Sequence, residues 1–198
     1  MLAVIGDVEE ICKEFAKHPA ITAANLNSKQ EVVLAGPTEE LAALQKPLGK
    51  LGHRVVSLPV SAAFHTSLVG HAQKPFAEAI GATEFGSPRC PVYSNTTGLP
   101  YDSDPERIRN TLSEHILNPV LFKEEIENIY KDGGRLFVEF GPKGVLAKLV
   151  GNILEGKPHT AVALNANPKR SSDRQLRQAV VRLRVAGLPL HDIDPHHA

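Results

Sequence analysis

Val60-Ser61-Ala62-Ala63-Phe64-His65-Thr66 is the stretch of this 198-residue chain whose residue types most invite chemistry. His65 follows an expected strand end and stands where two differently patterned parts of the sequence meet. Clefts between such parts are where small-molecule sites tend to form. A neutral imidazole there has the basicity to take a proton from a serine hydroxyl and return it to a departing thiol. Residue chemistry alone leaves a plainer alternative open, a histidine satisfied by local hydrogen bonds at a domain boundary.

The elements that must position His65 follow from apolar spacing. Leu2–Ile5 is a short apolar strand, and Asp7 with Glu10 three residues on forms a capping box. Val8, Ile11, Cys12 and Phe15 then share one helical face. Ile21–Ala24 reads as a strand, Asn25-Leu26-Asn27-Ser28 as a turn and Val32–Ala35 as a second strand. Thr38 is the expected cap of a helix with Leu41, Leu44, Leu48 and Leu51 inward, and a last strand runs from about Arg54 to Val60. Strand, helix, strand, strand, helix, strand is the split βαβ order of a ferredoxin-like unit over residues 1–61.

After Ser61 the pattern changes. Thr66 to Ile80 is expected to be helical with Leu68, Ala72, Phe76 and Ile80 on one side, kinked or interrupted by Pro75. Cys90–Ser94 reads as a strand before the turn Asn95-Thr96-Thr97-Gly98. Asp104-Pro105 opens a helix that reaches His115 and breaks at Asn118-Pro119, and another helix follows to Lys131. Leu136–Phe140 has the continuous apolar character of a buried parallel strand. A helix over Val145–Leu154, a strand over Thr160–Leu164 and a basic helix from Arg174 to Ala186 complete the pattern, with Leu176, Val180, Leu183 and Val185 apolar. Strands alternating with helices imply a parallel sheet with helical cover. So few strands leave that layer incomplete, as expected of a fragment. Residues 191–198 read as a polar linker or tail.

Bulk properties exclude several classes. Basic and acidic residues balance at 22 each, so no whole-chain field recruits nucleic acid or an anionic membrane. The strands lack the aromatic interleaving of RNA-binding sheets. No run approaches the roughly 18 apolar residues of a membrane span. Cys12 and Cys90, the two cysteines, lack metal-ligand spacing and are expected to be reduced core thiols in a cytoplasmic protein, with no metal site.

Ala63-Phe64-His65-Thr66 resembles the Ala-Phe-His-Ser-like tetrad of the malonyl-CoA:acyl carrier protein transacylase family and of the acyltransferase domains of polyketide and polyunsaturated fatty acid synthases. Further matches fall in the family's order. They are Asn25-Leu26-Asn27-Ser28 with Val32-Val33-Leu34-Ala35-Gly36, Leu58-Pro59-Val60-Ser61, and Val92-Tyr93-Ser94-Asn95-Thr96-Thr97-Gly98. Asn118-Pro119-Val120-Leu121-Phe122 and the run Phe137 to Leu146 complete the set. The likeness covers essentially residues 1–190, and the wording around His115–Phe122 and Val138–Leu146 is similar to polyunsaturated fatty acid or enediyne-type synthases. It implies an α/β fold: a ferredoxin-like small subdomain (1–61) followed by the C-terminal part of an α/β-hydrolase-like large subdomain (62–190).

The resemblance also implies roles. His65 matches the catalytic histidine, base toward a serine and then acid toward the leaving thiol. Its other ring nitrogen would donate to a main-chain carbonyl four residues before the Asn-Pro proline, which is His115 here; that contact replaces the aspartate of other triads. The side chain at 115 departs from the usual amide and is expected to matter little. Phe64 would fill the space an α-methyl group needs, favouring malonyl over methylmalonyl by roughly 1–3 kcal/mol. Asn25 and Asn27 match asparagines at the cleft rim, where forming a turn is the simpler role.

The implied substrate is malonyl-CoA, and the implied acceptor is phosphopantetheine on an acyl carrier protein; no bound cofactor is expected. Implied partners are that carrier, an N-terminal half of the domain bearing the serine, and neighbouring synthase domains. In the family the serine lies upstream in a Gly-His-Ser-Leu-Gly elbow, and no Gly-x-Ser-x-Gly occurs in these 198 residues. A family arginine and a glutamine loop also belong upstream. The chain is therefore expected to be inactive alone. Alternatives from other classes are a non-catalytic carrier-docking module, tested by carrier binding without a serine half, and a thioester hydrolase, which would release free malonate. Gly141-Pro142-Lys143-Gly144 lacks the length and ending of a phosphate loop. Lys143, Lys148, Lys169, Arg170 and Arg174 are candidates to meet an acidic carrier or coenzyme A phosphates, with a solvated face as the alternative.

Overall fold

Leu2 and Val4 alternate with Ala3 and Ile5 along strand β1 (Leu2–Ile5), and the first pair is buried, as a strand with one face on a core requires. This computed structural model describes residues 1–190, so the expected tail 191–198 lies outside the described residues. The chain forms two compact units, one of Met1–Ile129 and one beginning at Tyr130.

In the first unit β1 is followed by α1 (Val8–Phe15), β2 (Thr22–Leu26), β3 (Glu31–Ala35), α2 (Thr38–Lys50) and β4 (Arg54–Ser57). The four strands make one antiparallel sheet in the order β2-β3-β1-β4. Its core is Leu2, Val4, Val32 and Leu34 from the sheet, with Ile11 of α1 and Leu41, Leu44 and Leu48 of α2. Asp7 caps α1, its Oδ1 accepting from the Glu9 and Glu10 N–H groups at 2.9 and 3.3 Å. The Glu10 carboxylate does not close the expected reciprocal bond; it lies 3.2 Å from His53 Nε2, without hydrogen-bond geometry.

Three local expectations need correction here. Asn25 and Leu26 belong to β2, and the turn falls later, where Asn27 and Ser28 N–H both donate to the Glu31 carbonyl at 3.1 Å. Thr38 is the first helical residue of α2; Pro37 stands at the cap and makes no side-chain bond, because proline offers none. Leu51, expected inward, is exposed.

The first unit continues with a 3-10 turn (Ser67–Val69), α3 (Gly70–Gly81), α4 (Pro105–Glu114), a second 3-10 turn (His115–Leu117) and α5 (Phe122–Lys131). Pro75 lies inside α3 without ending it. Cys90–Ser94 is not a strand. Pro91 and Pro100 have no N–H to donate, and pairing reduces to a bridge between Tyr93 and Pro100 around the turn in which Gly98 N–H donates to Ser94 O at 2.7 Å. Gly98 sits at φ 67°, and an added Cβ would press on Glu124 Cβ at 3.1 Å. Residues 62–129 stay with the sheet because Val120 extends its β2 edge, donating to Ala24 O at 2.9 Å and accepting from Leu26 N–H at 2.8 Å. Cys90 is exposed and Cys12 half-buried, so neither is the core thiol expected; both are free.

The second unit holds β5 (Leu136–Pro142), α6 (Val145–Ile153), β6 (Thr160–Asn165) and α7 (Ser172–Val185). β5 and β6 pair in parallel, Leu136 opposite Thr160 through Glu139 opposite Ala163. Val162, Ala179 and Leu183 form its core with Leu136, Val138 and Leu164 against them. β5 is not the buried strand expected: with a neighbour on one side only, it is half-buried and Phe140 is 81% exposed. On α7, Val180 and Leu183 turn inward, whereas Leu176 and Val185 are exposed. Among the described residues no helix is long and apolar enough to cross a membrane.

Leu44 is fully buried between α2 and the sheet. Leu44→Ala is expected to lower unfolding free energy by about 2–5 kcal/mol, and Asp7→Ala by about 1 kcal/mol. Urea unfolding of the two variants against the parent chain measures both.

Candidate active site

The segment after β4 is turned by local hydrogen bonds. Leu58 N–H donates to Met1 O at 3.0 Å, prolonging the pairing with β1 before Pro59 ends it. The buried Thr66 hydroxyl then works twice, donating to Ala63 O at 2.7 Å and accepting from Leu68 N–H at 3.2 Å. His65 is thereby held at the apex with φ 63°. The left-handed region costs a non-glycine residue on the order of 1 kcal/mol or more and persists only where surrounding structure imposes it.

A second segment imposes it from fifty residues on. Asp104 caps α4, and the helix tightens into the 3-10 turn His115–Leu117. Asn118 is extended, as a residue before proline must be, and its side chain closes on Glu114 O at 2.8 Å. Val120 is then clamped on β2 as described. The carbonyls left over at the helix end find their donors on residue 65. His65 N–H donates to Ile116 O at 3.0 Å, and His65 Nδ1 lies 3.2 Å from His115 O.

The carbonyl decides the state of the ring. A carbonyl oxygen only accepts, so Nδ1 carries the proton and Nε2 of the neutral imidazole keeps its lone pair. This is the main-chain contact expected from the sequence at His115. What sequence reasoning missed is the use of the His115 side chain. Its ring meets that of His65 edge to face, centroids 5.0 Å apart at 72°, and its Nδ1 is 2.9 Å from Thr96 Oγ1. Thr96 sits in the Asn95-Thr96-Thr97-Gly98 turn, and Leu121 N–H donates to Asn95 O at 2.7 Å, which ties that turn to the segment after Pro119. The signal was present in the adjacent hydroxyls of that turn, but nothing along the chain says which helix end they face. Burial, and then repulsion from the His65 ring when that is protonated, holds the His115 imidazole below the ordinary histidine value.

The other expected residues are placed as follows. Phe64 is 39% exposed beside His65 and is not core. Asn25 pairs with Val120 through the backbone bridge at the irregularity of β2. Asn27 Nδ2 donates to Glu31 Oε1 at 2.9 Å and closes the β2–β3 turn. No described hydrogen bond joins either asparagine to His65. In the second unit, Glu139 occupies the start of α6, accepting from Val145 and Ala147 N–H at 3.0 and 2.8 Å. Pro142 ends β5, and Gly144 turns at φ 63° before α6 begins. Among the described residues no group of histidines, cysteines and carboxylates could hold a metal ion.

A histidine whose Nδ1 is held by a main-chain carbonyl, on a mixed α/β scaffold, is an arrangement suited to acid–base chemistry at its other ring nitrogen. Residues 1–188 match the acyl transferase domain family, and the chain belongs to it. It is 38% identical over 199 residues to a polyunsaturated fatty acid synthase subunit of Thraustochytrium sp., covering 98% of this chain and 7% of that protein. A malonyl CoA-acyl carrier protein transacylase from Clostridium perfringens superposes with a TM-score of 0.80 at 26% identity, over 94% of this chain and 57% of that one. A type II polyketide synthase acyl carrier protein in complex with its malonyl-transacylase matches with a TM-score of 0.75 at 28% identity, over 91% and 58%. The chain thus spans a small part of the Thraustochytrium synthase polypeptide and just over half of the solved transacylases.

Because folding holds the His115 ring neutral, its contribution to stability is complete above the ordinary histidine pKa of about 6.5 and is lost as pH falls below it. His65→Gln removes the second cause and leaves burial, so the His115 pKa is expected to rise part of the way to the ordinary value. Imidazole proton titration by NMR follows it; an unmoved His115 would show that the two rings do not sense each other.

Proposed function

We propose that this chain supplies the histidine half of a malonyl transfer from coenzyme A to the phosphopantetheine thiol of an acyl carrier protein. Membership of the acyl transferase domain family supports it, as does the presence of a malonyl transacylase and a polyunsaturated fatty acid synthase among its relatives. The observation that carries it is the His65 Nδ1 contact to His115 O, which leaves Nε2 free to work as a base. In this reading residues 1–61 are a ferredoxin-like small subdomain, and 62–190 are the C-terminal part of an α/β-hydrolase-like large subdomain. The protein works in the cytoplasm beside neighbouring synthase domains.

The transfer is ping-pong. A serine, presented by an N-terminal half of the domain, attacks the thioester carbonyl while His65 Nε2 takes its proton. The imidazolium formed is stabilised by the His115 carbonyl at Nδ1–H and gives the proton to the coenzyme A sulfur as the C–S bond breaks. The carrier thiol then gives its proton to Nε2 and attacks the acyl-serine ester, and the serine leaves with that proton. Phe64, exposed next to His65, borders the acyl group and disfavours an α-methyl branch. Asn25 and Asn27 stand at the rim. With no Gly-x-Ser-x-Gly in its sequence, the chain is inactive alone.

The test mixes the 198-residue chain with malonyl-CoA and a holo carrier protein, with and without a serine-bearing half taken from a related acyltransferase domain. Loading of the carrier, read by intact-protein mass, is expected only with both halves and is lost in His65→Ala. Loading by this chain alone, or undiminished loading by His65→Ala, would overturn the assignment. Free malonate accumulating without carrier loading would mark a hydrolase instead.

A further inference from the structure

Residue 115 meets His65 twice, once through its carbonyl and once through its side chain, and the two contacts rest on different supports. The carbonyl is aimed by the 3-10 turn His115–Leu117 that ends α4. The side chain is aimed by the turn Asn95-Thr96-Thr97-Gly98, where Thr96 Oγ1 lies 2.9 Å from His115 Nδ1. A hydroxyl both donates and accepts, so this pairing holds the imidazole whichever of its nitrogens carries the proton. The ring so placed meets that of His65 at 72° with centroids 5.0 Å apart. That separation falls inside the range of about 4.5–7 Å that edge-to-face ring pairs prefer.

The turn that carries Thr96 is itself held from two sides. The buried Ser94 anchors its start: the carbonyl accepts from Gly98 N–H at 2.7 Å and from Thr97 N–H at 3.2 Å, and the hydroxyl accepts from Thr96 N–H at 3.2 Å. Helix α5 closes on its end, Asn128 Nδ2 donating to Gly98 O at 2.8 Å while Gly98 lies close against Glu124. Thr96 thus stands on a fixed platform, and the His115 ring reaches it across nineteen residues of chain.

His65 has a use for this second support. The bond to the carbonyl fixes which nitrogen bears the proton, but a single bond at 3.2 Å leaves the ring free to tilt, because the torsion between a tetrahedral carbon and a planar ring has broad minima. A general base must keep its nitrogen within about 2.6–3.2 Å of the atom whose proton it takes, and tilting carries Nε2 out of that reach. A neighbouring ring set edge to face blocks the tilt. Burial keeps the ring at 115 uncharged, so it adds no like charge beside an imidazolium at 65.

We propose that the His115 side chain, held by the Thr96 hydroxyl, is a positioning residue that fixes the plane of the His65 ring. The role rests on the proposed function of His65 as a base, and its mark on the ring is measurable without any transfer.

The test reads the ratio of Nδ1–H to Nε2–H tautomer at His65 by long-range proton–nitrogen NMR on the 198-residue chain, at a pH where the ring is neutral. His115→Ala keeps the carbonyl and removes the ring; Thr96→Val keeps the ring and removes the hydroxyl. Each is expected to lower the ratio about threefold or more, the size of effect a ring-pair contact supports. The double variant is expected to match His115→Ala alone, because the hydroxyl acts only through the ring. Thr96→Ser, which keeps the hydroxyl, rescues the ratio; if His115→Ala does not fold, Thr96→Val against Thr96→Ser decides. With a serine-bearing half added, His115→Ala and Thr96→Val lower kcat for carrier loading and leave the KM for malonyl-CoA unchanged. A ratio unmoved by both substitutions, additive losses in the double variant, or a changed KM with parental kcat would overturn the role. A parent chain that never loads the carrier would sink the malonyl-transfer reading instead, and the tautomer ratio alone then decides the role of His115.

Discussion

One hydrogen bond spans fifty residues and orients the His65 ring. His65 Nδ1 faces the His115 carbonyl at 3.2 Å, and the His65 N–H is taken by the next carbonyl, that of Ile116, at 3.0 Å. Two bonds from adjacent carbonyls to one residue fix both its backbone and its ring. They offset the cost of the left-handed backbone at His65, and they impose the tautomer that leaves Nε2 basic. A carbonyl serves here where a carboxylate would add a buried charge needing its own partners.

The carbonyls are available because a helix ends there. The last carbonyls of a helix have no partner within it, and the 3-10 turn after α4 together with the extended Asn118 directs two of them outward. That geometry depends in turn on Val120 being pinned to β2. Sheet edge, proline turn and helix end thus act as a chain of constraints within the first unit, and a disturbance at β2 would reach the histidine. The His115 ring adds a further layer, since Thr96 and the His65 ring hold it on two sides.

Much of this was legible along the chain. Element order through the first sixty residues follows from apolar spacing, the Asp7 and Asp104 caps and the turn residues, because those are local effects. The failures are as informative. Cys90–Ser94 has the composition of a strand, yet with prolines at 91 and 100 its pairing shrinks to a single bridge. Leu136–Phe140 reads as a buried strand, and Phe140 is exposed because burial depends on neighbours and not on the residue itself. Leu51, Leu176 and Val185 are apolar without being buried for the same reason.

By itself the sequence determined which residue bears the imidazole, where α4 must stop, and the succession of motifs that marks the acyl transferase family. Spacing and turn chemistry are short-range and survive without a fold. Tertiary structure decided that the ring of His115 as well as its carbonyl meets His65, and that Thr96 is its partner. Those facts join residues tens of positions apart, and such distances close only when strands pair and helices pack.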